Sequence, residues 1–135
     1  MPDDSTFGLR IRRHGSPLVI ELWGELDVLA AVRLSDRLLR LAAGARGVLV
    51  LDLRDVVFVD CSGLSMLLRV HRRLGLRHGH LTLVVVNPFH RRLLRLTHLD
   101  TVLHVVEEFD GDLPPGVRGT ESVDSGAALI GTTGE

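Results

Sequence analysis

The sequence predicts a mixed α/β domain, and three observations carry that prediction. Two apolar runs of strand length, Gly47–Leu53 and Leu81–Val86, are continuous rather than alternating, as strands covered on both faces are. Between and around them, apolar residues recur at spacings of three and four, the repeat of helices with one buried face. The length of 135 residues, with 45% hydrophobic and 24% charged residues, suits one folded unit around one core.

Taken in order, Phe7–Arg12 and Pro17–Trp23 read as two strands joined by the turn-forming His14-Gly15-Ser16-Pro17, a hairpin. Asp27 then stands as an N-cap before Leu29, Val32, Leu34, Leu38, Leu39 and Leu41, a helical recurrence closed by Gly44. Gly47–Leu53 is the central strand. A further apolar run, Val56–Val59, is interrupted by Asp60-Cys61-Ser62-Gly63, and Leu64, Leu67, Leu68, His71 and Leu74 set a second helix starting at about Ser62. Gly75 and Gly79 flank its end, Leu81–Val86 follows as a strand, and Asn87-Pro88 opens a third helix through Leu93, Leu94 and Leu96. Val102–Val106 is the last strand. The order β-β-α-β-α-β-α-β implies a mixed β-sheet whose right-handed crossovers lay α-helices against it.

The folded unit is expected to span residues 1–109. Residues 110–135 are rich in Gly, Ser, Thr and Pro, with too few large apolar residues to order themselves, and read as a disordered C-terminal tail. No apolar run approaches the roughly 20 residues a membrane-spanning helix needs. The acidic start Met1-Pro2-Asp3-Asp4-Ser5 lacks the basic and apolar regions of a signal peptide, so a cytoplasmic location is expected.

Composition narrows the function classes. The single cysteine, Cys61, permits no internal disulfide and no thiolate zinc cage. A net charge of -1 names no polyanionic partner, yet between Cys61 and Leu99 there is no Asp or Glu against seven arginines: Arg69, Arg72, Arg73, Arg77, Arg91, Arg92 and Arg95. That run lacks interleaved aromatics and a base-reading motif, so it reads as long side chains bordering buried helix faces, and no direct nucleic-acid contact is expected. His71, His78 and His80 have no Cys or carboxylate beside them and read as a solvated turn, so no metal is expected. Ser62 lacks the G-x-S-x-G elbow of a hydrolase, and Cys61 lacks a resolving partner. No catalytic residue and no cofactor are expected, and the chain reads as a binding module, not an enzyme.

In such a sheet, sites gather where strands end and helices begin, because free N–H groups are exposed there. Two junctions qualify: Gly24-Glu25-Leu26-Asp27 and Asp60-Cys61-Ser62-Gly63. By position alone, Ser62 is either a simple N-cap with Gly63 as turn residue, or a hydroxyl placed to carry a phosphate.

Val57-Phe58-Val59-Asp60-Cys61-Ser62-Gly63-Leu64 resembles the phosphorylation loop of STAS domains of the bacterial anti-sigma factor antagonist type, in which an Asp, a small residue, a Ser, a Gly and a Leu follow an apolar strand. Gly24-Glu25-Leu26-Asp27 is similar to that family's segment before its first helix, and Asn87-Pro88 with Leu93, Leu94 and Leu96 to the start of its third. The resemblance covers roughly residues 7–109 and implies a STAS-like sheet. It implies that Ser62 is the phosphoacceptor and that Asp27, Asp60, Cys61, Ser62, Gly63 and Leu64 form the partner-binding loop region. Cys61 departs from the commoner Ser and removes a neighbouring acceptor. The implied partners are an anti-sigma factor with serine kinase activity, released when Ser62 is phosphorylated, and a metal-dependent serine phosphatase. Such partner switching sets the availability of a sigma factor and so regulates transcription. The alternative is a STAS interaction domain of another assembly, a stress-signalling scaffold or a transporter-docking module.

Overall fold

In the computed structural model, residues 6–15 and 17–108 are described. Expectations for the first five residues and for those beyond Glu108, including the tail, lie outside the described residues. The elements are β1 (Phe7–Arg13), β2 (Leu18–Leu26), α1 (Val28–Gly44), β3 (Val48–Val59), α2 (Cys61–Gly75), β4 (His80–Val84), α3 (Pro88–Leu96), a 3-10 turn (Leu99–Thr101) and β5 (His104–Val106). The predicted order is the observed one.

The strands form one sheet in the order β1-β2-β3-β4-β5. β1 pairs antiparallel with β2 as a hairpin, and the remaining neighbours pair in parallel. Each parallel step is a β-α-β crossover, so the three helices begin at the same end of the sheet, beyond the C-terminal ends of β2, β3 and β4. Alternation along the strands sorts side chains by face. Ile20, Leu22, Leu49, Leu51, Leu53, Leu81 and Leu83 join Leu34 and Leu38 of α1, Leu67 and Val70 of α2 and Leu94 of α3 in the main core.

The opposite face carries a smaller cluster of strand side chains, Val19, Val48, Val50 and Val84. Beside it lies a charged network. Asp52 is buried and accepts from Arg54 Nε at 2.9 Å, Arg54 Nη2 at 2.7 Å and Arg12 Nη1 at 3.3 Å, while Glu21 pairs with Arg10 and Arg12. Burial by itself pushes the Asp52 carboxyl up, but the Arg54 hydrogen bonds and the two guanidinium charges hold it below its ordinary value.

Several sequence-based boundaries move. Gly47–Leu53 and Val56–Val59 are one continuous strand of 12 residues, because β2 keeps pairing with β3 past Arg54 and Asp55, through irregularities on either side of Trp23 and Gly24. Gly24 has φ +87°, and a Cβ there would run into the Thr6 carbonyl, so this kink requires glycine. Leu81–Val86 shortens at its C-terminal end, where Val86 is exposed. The final strand loses Val102 and Leu103, since the 3-10 turn and its capping bonds occupy the preceding backbone. Leu29 and Val32, read as part of the buried recurrence of α1, face outward instead.

Candidate functional site

Two of the strand ends lie side by side. Leu26, the last residue of β2, is the register partner of Val59, the last of β3, and the next residue on each chain segment caps a helix. Asp27 caps α1: its Oδ1 accepts from the Ala30 N–H at 3.1 Å. Asp60 caps α2: its Oδ1 accepts from the N–H of Ser62 at 2.9 Å and of Gly63 at 3.2 Å. The Asp60 N–H donates to the Leu26 carbonyl at 3.3 Å and ties the second junction to the first. The two aspartates that the sequence separates by 33 positions therefore flank one site.

The cap of α2 is Asp60, so the reading of Ser62 as an N-cap is corrected, and the helix starts at Cys61 rather than Ser62. Pairing with β2 holds the chain extended through Val59, and Asp60 keeps extended backbone angles, so the first helical residue is the one after it. Ser62 sits in the first turn. Its backbone N–H is taken by Asp60, while its hydroxyl makes no hydrogen bond among the described residues and is part-exposed. A primary hydroxyl without an internal partner at a helix start is free to accept a phosphoryl group. Cys61 beside it is exposed.

Gly63 and Leu64 are buried and position the loop rather than present a surface. A Cβ on residue 63 would collide with the Leu26 carbonyl oxygen and lie 3.0 Å from the Leu26 Cβ, so glycine lets α2 begin directly against the end of β2. Leu64 enters the main core below.

The third helix starts nearby on the same plan. Asn87 Oδ1 accepts from the N–H of Phe89 at 2.8 Å and of His90 at 3.4 Å, with Pro88 in the first turn. His90 is buried, its Nδ1 has no partner among the described residues, and its ring bonds the backbone of Val57 near the end of β3. Burial pushes the His90 pKa down, and the Val57 bond offsets part of that shift.

Sequence reasoning missed an apolar rim around this site. Val28, Leu29 and Val32 of α1 and Val57 and Phe58 of β3 are exposed, Val32 to 71% and Val57 to 68%. Phe58 pairs with Glu25 just before the junction, and Val28 follows Asp27 directly. With Ala30, Leu34 and Leu38 buried, Leu29 and Val32 fall on the other side of the helix, and a sequence that is apolar at all five positions does not say which side packs. Among the described residues no three His, Cys, Asp or Glu side chains gather as metal ligands, and no helix is long and apolar enough to cross a membrane. His78 lies in the turn after α2, and His80 opens β4.

A sheet of this topology with three crossover helices starting at one end, and a capped Asp-Cys-Ser-Gly turn between its central strand and second helix, defines a STAS-type fold. The STAS domain profile matches residues 9–110, and the chain belongs to the STAS domain family. Among solved structures it is similar to an anti-sigma factor antagonist from Mycobacterium paratuberculosis, at 26% identity and TM-score 0.70, covering 80% of this chain and 92% of that one. It shares its fold with the Bacillus cell fate determinant SpoIIAA in the phosphorylated form, at 24% identity and TM-score 0.58, over 76% and 92% of the two chains. It also shares it with a STAS domain protein from Planctomyces limnophilus, at 22% identity and TM-score 0.57, over 72% and 87%. No curated protein sequence matches the chain.

Proposed function

We propose that this protein is an anti-sigma factor antagonist that binds an anti-sigma factor with serine kinase activity and is released when Ser62 is phosphorylated. One observation carries the reading: the Ser62 hydroxyl has no partner among the described residues and lies in the first turn after Asp60, whose junction adjoins the one capped by Asp27, with exposed apolar side chains on the elements that meet there. The rim supplies the water-excluding contact a protein partner needs, and Asp27 and Asp60 supply charge for specificity. The description of the Mycobacterium paratuberculosis structure as an anti-sigma factor antagonist supports the assignment. In this role the chain works as a cytoplasmic binding module, and a metal-dependent serine phosphatase resets it.

The charge balance explains the switch. Asp60 already occupies the N–H groups of Ser62 and Gly63 that would otherwise receive a phosphate. A phosphate on Ser62 adds about -1.5 to -2 charges. That dianion meets the Asp60 carboxylate rather than free donors, and a partner packed over the rim would have to desolvate it. About 2.8 kcal/mol of such cost weakens binding a hundredfold.

The test is to incubate the protein with its partner kinase and ATP, map the modified residue and titrate variants against the partner. Ser62→Asp is expected to lose about two orders of magnitude in affinity, and Ser62→Ala to bind but resist phosphorylation. Phosphate on another residue, or equal affinity of Ser62→Asp and wild type, would sink the reading.

A further inference from the structure

The helical layer carries a charge pattern that the Ser62 site does not use. Along α1, Arg33, Arg37 and Arg40 are exposed at spacings of four and three, which places them in one stripe. Along α2, Arg69, Arg72 and Arg73 are exposed, and this helix contains no Asp or Glu. The helices lie against one another, with Arg69 Nη2 donating to Ser35 Oγ of α1 at 2.8 Å. Arg33, Arg37, Arg40, Arg72 and Arg73 make no hydrogen bond or ion pair among the described residues. On the far side of the sheet the arrangement is the reverse: Arg10, Arg12 and Arg54 are all paired with Glu21 or Asp52. Asp36 is the one carboxylate on the two helices.

Like charges three and four apart on a helix repel, so the free domain is less stable for carrying these stripes. An acidic occupant removes that repulsion. We propose that the outward surface of α1 and α2 is a docking surface for an acidic protein segment, separate from the Ser62 loop. Three features favour protein over nucleic acid. Asp36 sits within the basic stripe, where a phosphate backbone meets a like charge but a protein can place a cation. Neither helix has a Phe, Tyr or Trp to stack on a base. Leu76, exposed to 80% just past the end of α2 and four residues beyond Arg72, offers the apolar contact typical of a protein interface. Arg72 lies ten residues beyond Ser62 on the same helix, about 15 Å away and past the screening length of physiological salt.

The proposal does not rest on phosphorylation, and its test is separable from that reading. The full chain is titrated with a short polyglutamate peptide while arginine Nε–H resonances are followed by NMR. Shifts are expected on the α1 and α2 arginines and not on Arg10, Arg12 or Arg54. The double variant Arg37→Glu, Arg72→Glu is expected to lose at least about tenfold in affinity, and Ser62→Asp to lose none. A merely solvated surface predicts no loss of binding in the double variant. Equal affinity of the double variant, a uniform response of all arginines, or tighter binding of duplex DNA or phosphatidylglycerol vesicles through the same residues would overturn it.

Discussion

Glycine at position 63 answers a packing demand. The first turn of α2 passes so close to the end of β2 that a single methyl group would displace the Leu26 carbonyl. Gly63→Ala should therefore destabilise the domain by about 1–3 kcal/mol, the usual cost of overpacking, and shift the Ser62 hydroxyl with the helix. Gly75, at the other end of α2, has nothing within 4 Å of where its Cβ would lie. Gly75→Ala should be neutral or gain up to about 1 kcal/mol from reduced freedom of the unfolded chain. Urea melts of the two variants beside wild type check the contrast, and equal effects would show that the Leu26 contact carries no weight. The local sequence does not show the difference in space around Gly63 and Gly75, since the contact at Gly63 comes from a strand residue 37 positions earlier.

At the scale of elements, all three helices start with an Asx side chain accepting from backbone N–H groups of the first turn: Asp27, Asp60 and Asn87. Asp27 was legible as a cap and Pro88 as a first-turn residue, while the cap at Asn87 is a finding of the structure. Asp60 and Ser62 both suit the cap of α2, and local propensity does not choose between them; pairing of Val59 with Leu26 does. Asp60 thus serves as a cap and places a charge beside Ser62, and two substitutions separate these roles. Asp60→Ala should cost about 1 kcal/mol by removing the acceptor. Asp60→Asn keeps an acceptor and most of that stability, while removing the negative charge beside Ser62. If partner binding falls in the Ala variant and survives in the Asn variant, Asp60 acts through helix geometry; a loss in both assigns a role to its charge.

For the molecule as a whole, two buried titratable groups set how stability depends on pH. The folded-state pKa of His90 lies below its ordinary 6.5, so the unfolded chain binds that proton more readily. Its contribution is full above about pH 6.5 and declines as the pH drops below it toward the folded value. The folded-state pKa of Asp52 lies below 3.8, so its contribution is present above that value and disappears as the pH falls through the lower one. Denaturation midpoints taken from neutral pH to about pH 3 should show both declines, and His90→Asn should remove the first. Persistence of the first decline in that variant would assign it to another histidine. His90 drew no notice in the sequence because its burial depends on α3 folding back over the end of β3.

What the sequence determined by itself is what short-range physics controls. The order of strands and helices, the hairpin, the cap at Asp27 and the start of the third helix at Pro88 follow from spacing, turn chemistry and propensity within a few residues. The tertiary structure alone decided what depends on register between distant strands. Parallel pairing of β2 with β3 brought Asp27 beside Asp60, joined two apolar runs into one strand and moved the start of α2 to Cys61. Packing of α1 on the sheet through Ala30, Leu34 and Leu38 turned Leu29 and Val32 outward, and strand alternation set Asp52 between Arg12 and Arg54. A face is chosen by the neighbour it packs against, and that neighbour lies elsewhere in the chain.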